Sequence, residues 1–243
     1  QDEGTLAVDN SIVFERPEVK RNIFYISDDQ YYLDNAKPVD MMNYYCEFYP
    51  DYNRARFIEL TKAFELPLNR KIKTYSKGMK KQLSVILGIC AQTKYILCDE
   101  TFDGLDPVMR QAVKSLFAND LEQRGLVPVI ASHNLRELED ICDHIGLLYK
   151  GGIMFSKDVD DMKLNIHKVQ CVLNADEPMQ IIKQHFDVVT HDQKGKLITF
   201  TARGAREETE TKLKELESVY YEIIPLSLEE IFKSETEAKG YDL

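Results

Sequence analysis

Two short apolar runs, Tyr95 to Cys98 and Val127 to Ala131, are separated by a helical stretch that opens at Pro107, and this alternation constrains the chain more than anything else in it. Apolar strands that alternate with helices are covered on both faces, which predicts a parallel sheet in an α/β fold. A further helix opens at Ser76 and runs through KKQLSVILGICAQ. A third apolar run, IGLLY at 145–149, follows a helix LRELEDICD and continues the pattern.

Outside this centre the periodicity changes. Residues 4–27 alternate as strands (TLAVDNSIVF, then NIFYIS) about the charged turn Glu15 to Lys20, which predicts a hairpin or meander. Between 38 and 65 the apolar positions Met41, Met42, Tyr45, Phe48, Phe57, Ile58, Leu60 and Phe64 fall near helical spacing, with Pro50 between them, and predict two short helices. After Ser156 the order is strand, helix, hairpin, helix, strand, helix, as expected for a small α+β domain of ferredoxin-like order.

Composition excludes several classes. The 243 residues, 44% of them hydrophobic, are enough to bury a core. A formal net charge of -10, with the acidic residues scattered, argues against a nucleic-acid partner. Cys46, Cys90, Cys98, Cys142 and Cys171 form no C-x-x-C pair, so they read as reduced core thiols. No run approaches the roughly 20 apolar residues that cross a bilayer.

The chemistry gathers at the strand ends. Asp99 and Glu100 close the run YILCDE, at the edge where open α/β sheets bind ligands. One such carboxylate can hold Mg²⁺ and its neighbour can orient a water, although solvated acids are equally common at a strand end. Ser76, Lys77, Gly78 and Met79 lead into a helix N-terminus whose N–H groups suit an anion, and Ser76 also reads simply as an N-cap. Asp106, in the turn GLDP, reads as a helix start or as a group facing an interface. His133 lies past the second strand, parallel to the carboxylates past the first, where it could contact a phosphate or serve the fold.

In this order and spacing, YSKGM, YILCDE, GLDP and His133 resemble the ABC ATPase family over residues 1 to about 156. The resemblance implies a P-loop NTPase-like ABC ATPase core over 1–156, with a helical subdomain over about 34–75 and a C-terminal α+β domain over 157–243. It implies ATP and Mg²⁺ as cofactors, with Asp99 on the ion, Glu100 positioning the attacking water and His133 at the γ-phosphate. Ser76, Lys77, Gly78, Met79 and Asp106 would serve the nucleotide of a second ATP-binding subunit, in a homo- or heterodimer. The other implied partner is a transmembrane permease subunit, touched by the helical insertion, where Tyr44, Tyr45, Phe48, Tyr49 and Tyr52 gather. That places the protein in the cytoplasm, peripheral on the inner face of the cell membrane, as in bacterial exporters of drugs or antibiotic peptides.

Three departures accompany the resemblance. The family carries G-x-x-x-x-G-K-[ST] upstream of the hairpin, and nothing in residues 1–243 matches it. Residue 1 is Gln and falls where, by the family's layout, the helix after that loop would end, so about 50 to 60 residues, the size of a strand–loop–helix unit, are expected to be missing, leaving this chain inactive by itself. Where the family has Gln after NIFYIS, this chain has Asp28, which could hold a Mg²⁺-linked water, with Gln30 as an alternative. Thr101 and Phe102 replace the usual Pro-Thr. The Asp28 and signature departures also suit a regulatory member that binds partners without turnover.

Overall fold

The computed structural model describes residues 3–238, so residues 1, 2 and 239–243 of the two expected domains lie outside the description. The chain divides into two compact units, 1–133 and 134–243. This division falls earlier than the expected 156/157 boundary.

In the first unit, β1 (Ala7–Val8) and β2 (Ser11–Ile12) form a small hairpin. A one-turn helix, α1 (Pro17–Lys20), occupies the expected charged turn, with Pro17 at its first position, where no N–H is needed. β3 (Ile23–Ile26) then leaves the hairpin altogether. It pairs in parallel with β4 (Tyr95–Asp99), which corrects the hairpin-or-meander expectation for NIFYIS. Alternation specifies a strand but not its neighbour, and the neighbour here lies far along the chain.

Between β3 and β4 lies the helical insertion, α2 (Pro38–Phe48) and α3 (Arg54–Ala63), broken at Tyr49–Asn53 around Pro50 as expected. Asn53 caps α3 by accepting from the Arg56 N–H at 2.9 Å. The long helix α4 (Lys77–Cys90) is buried throughout its second half. It approaches β3 and β4 so closely that a Cβ on Gly88 would stand 2.7 Å from Ile96 Cδ1 and 2.9 Å from Phe24 Cδ1. After β4 come α5 (Pro107–Arg124) and β5 (Val127–Ala131), giving the parallel order β3-β4-β5. The Asp120 carboxylate on α5 is fully buried; Arg56 from α3 and Arg124 both donate to it, so the insertion is tied to the sheet layer.

The second unit opens with α6 (Leu135–Glu139), shorter than the helix expected through Asp143. β6 (His144–Tyr149) corrects a second expectation: its described partner is β7 (Gly152–Asp158), antiparallel, and not the parallel sheet. A helix α7 (Val159–Leu164), capped by Asp158, leads to β8 (Ile166–Val172). The remainder is α8 (Pro178–His185), β9 (Asp187–Lys194), β10 (Leu197–Arg203), α9 (Arg206–Glu215), β11 (Tyr220–Ile224) and α10 (Leu228–Ala238). Its antiparallel sheet has the order β11-β8-β10-β9, the split βαβ arrangement expected from the element order. Val169, Cys171, Ile198, Phe200 and Ala202 alternate on one face of that sheet and pack with Ile182, Phe186 and Leu213 of α8 and α9.

Candidate functional site

The site forms where the chain leaves β4. Asp99 is the last strand residue, and Glu100 follows with a φ of 46°, in the left-handed region. For a non-glycine residue this costs about 1 kcal/mol or more, so the surroundings must enforce it. They do so from two sides: the Glu100 N–H donates to the Ala131 carbonyl at 3.0 Å, and its own carbonyl accepts from Lys81 Nζ at 2.6 Å.

Thus held, the Glu100 carboxylate meets His133 across the ends of adjacent strands. Its Oε1 accepts from the His133 backbone N–H at 3.2 Å and stands 2.8 Å from His133 Nδ1. A proton on Nδ1 completes that contact. The carboxylate is half-buried and the imidazole exposed, so a solvent-side ligand can reach both. Asp99 accepts from the Tyr25 phenol of β3 at 3.2 Å, which brings three adjacent strands to one edge.

Asp28, in the loop after β3, joins this group through the buried Lys81, whose Nζ donates to Asp28 Oδ1 at 2.9 Å. That hydrogen bond and the ammonium charge hold the Asp28 carboxyl below its ordinary value. Gln30, the alternative ligand, donates from Nε2 to the carbonyls of Ser27 and Asp28, so its amide folds its own loop.

The helix start at Ser76 behaves as the simpler reading has it: Ser76 Oγ accepts from the Met79 N–H at 3.2 Å. Asp106 likewise caps α5, accepting from the N–H groups of Val108 and Met109 at 3.0 Å. The two helix starts lie together. Lys77 Nζ donates to Asp103 Oδ2 at 2.6 Å, and a Cβ on Gly78 would stand 3.1 Å from the Gly104 carbonyl oxygen. The pairing depresses the Asp103 carboxyl and raises the Lys77 ammonium. Phe102 is buried edge-on against Phe117, 6.3 Å between centroids, and leaves the carboxylates clear.

Sequence reasoning missed Lys81, Tyr25 and Asp103. The signal for Lys81 was a lysine four residues, one helical turn, before the apolar run VILGIC that begins at Val85. Among the described residues no group of three or more His, Cys, Asp and Glu forms a metal cage. Asp99 and Asp28 offer carboxylate oxygens, the donor type that Mg²⁺ takes beside water and phosphate.

No family model matches the chain. It is 30% identical over 231 residues to the ABC transporter ATP-binding protein YtrB of Bacillus subtilis, covering 95% of this chain and 78% of YtrB. A 120-residue stretch is 28% identical to the bacitracin transport ATP-binding protein BcrA of Bacillus licheniformis, covering 49% of this chain and 39% of that protein. Among solved structures, a dimeric ATP-binding cassette in a post-hydrolysis state with ADP and Pi aligns at a TM-score of 0.56 and 18% identity. That match covers 65% of this chain and 74% of the other and shows a shared fold. With the match to YtrB extending over nearly its whole length, the chain belongs to the family of ABC transporter ATP-binding proteins.

Proposed function

We propose that the chain is the ATP-hydrolysing subunit of an exporter, and one observation carries this reading: the Glu100 carboxylate, directly after Asp99, is held against His133 at the ends of two neighbouring parallel strands. A carboxylate so fixed can orient a water for attack on a γ-phosphate, and an exposed imidazole beside it can contact the same group. Asp99 and Asp28 would hold Mg²⁺ through water. What the ion supplies when bound is neutralisation of charge on the phosphate oxygens.

Ser76, Lys77, Gly78, Met79 and Asp106 cluster at two helix starts and would face the ATP of a second ATP-binding subunit, an arrangement supported by the dimeric state of the fold relative. The permease subunit has a candidate seat in the same unit. Lys20, Arg21, Tyr44, Tyr45, Phe48 and Tyr49 line a cleft of about 350 Å³, with Phe48 51% exposed. Aromatic side chains beside basic ones are typical of binding surfaces. No described helix is long and apolar enough to cross a membrane. Attachment through a permease would place the protein in the cytoplasm, on the inner face of the membrane. Export as the direction draws on the bacitracin transport relative. A net charge of -10 speaks against nucleic acid as a partner.

The test is Glu100→Gln in the intact protein. Turnover should fall about 100-fold or more while ATP binding survives, the loss expected of a positioned general base. Parental-rate hydrolysis by this variant would remove Glu100 from the mechanism. A parental protein that binds Mg-ATP but never turns it over, even beside its permease, would favour a regulatory role.

A further inference from the structure

Lys81 is the most buried cation in the first unit: its side chain is 0% exposed, yet it lies only four residues into α4. A buried ammonium is tolerated only where its protons are taken up. Two are, and by different loops. One goes to the carbonyl of Glu100 at 2.6 Å, the other to Oδ1 of Asp28 at 2.9 Å.

Each contact is aimed at a place where the backbone has a choice. Glu100 is in the left-handed region, and the accepted proton fixes its carbonyl in that turn and thereby its side chain toward His133. Asp28 sits in a loop after β3, with its carboxylate 54% exposed, so the buried ammonium is its anchor to the interior. A rigid helix thus holds both loops from one atom.

We infer that Lys81 is a positioning residue that couples the Asp28 loop to the Glu100 turn, so that neither can shift without the other. The catalytic consequence rests on the ATPase reading above; the mechanical one does not. Removing Lys81 should leave nucleotide affinity alone and misplace Glu100, and small misplacements of a catalytic group lower turnover by about 100-fold.

Two measurements test this in the intact protein. Backbone hydrogen exchange, read without nucleotide, should accelerate in Lys81→Met at residues 27–30 and 100–103, with 84–90 of α4 unchanged. Unchanged exchange at both loops overturns the coupling. Should Lys81→Met loosen the whole unit, Asp28→Asn, at an exposed site, severs only the ion pair. It should accelerate exchange at 100–103 as well as 27–30, and an effect confined to 27–30 overturns the coupling. In ATP turnover, Lys81→Met should lower kcat about 100-fold at an unchanged KM. A parental kcat overturns the catalytic role. A parental protein without turnover instead sinks the ATPase reading and leaves the exchange result to decide the coupling.

Discussion

Asp120 shows how much one side chain can hold. Its carboxylate is fully buried and accepts from Arg56 and from Arg124 Nε at 2.7 Å, while Arg124 also donates to the Thr93 carbonyl. Removing one member leaves two cations facing an apolar interior. Asp120→Ala should therefore destabilise the first unit by about 3 kcal/mol or more, read as a lowered denaturant midpoint. Legibility at this scale depended on whether a residue's position or its environment makes it special. Glu100 and His133 stood out in the sequence because an apolar run fixes where a strand ends. Lys80 and Lys81 look alike until the phase of α4 is known, and only then does one prove buried. Ser76 and Asp106 admitted two readings, and their hydrogen bonds are those of helix caps.

Among the elements, α4 organises the first unit. Its start touches the GLDP loop, its second turn opens with Lys81, and its second half lies on β3 and β4. Gly88 permits that last contact. Gly88→Ala brings a methyl to within 3 Å of Phe24 and Ile96, and since buried side chains can give only partly, a loss of about 1 to 3 kcal/mol is expected by thermal melt. The gain in helix propensity offsets little of it. Element types were legible almost throughout, because period and caps are local. Partners were not: NIFYIS and IGLLY read correctly as strands, yet nothing local says that β3 pairs with β4 or that β6 pairs with β7.

At the scale of the whole molecule, the second unit carries an ion pair that should make its stability depend on pH. In it Glu230 accepts from Lys168 Nζ at 2.9 Å and from Ser227, which lowers its carboxyl below the usual 4.5. A depressed carboxyl stabilises the fold above its ordinary value and ceases to do so as pH falls through the folded one. Acid unfolding of the second unit below about pH 4.5 should thus shift in Lys168→Met, which removes the largest cause of the depression, leaves that from Ser227, and loses less stability on acidification. Tryptophan is absent, so tyrosine signals or circular dichroism must report it.

The outer edge of β5 has no strand beside it among the described residues, and Val129 there is 52% exposed. Such an edge invites another chain to add on. Because the Val127 N–H donates inward to Lys94, alternation turns the nitrogen of Pro128 outward, and proline has no proton to give. An incoming strand therefore meets a gap in the row of donors. A segment that leaves a water or a bulge opposite Pro128 can dock, whereas an indiscriminate in-register stack of copies, the first step toward fibrils, starts one hydrogen bond short.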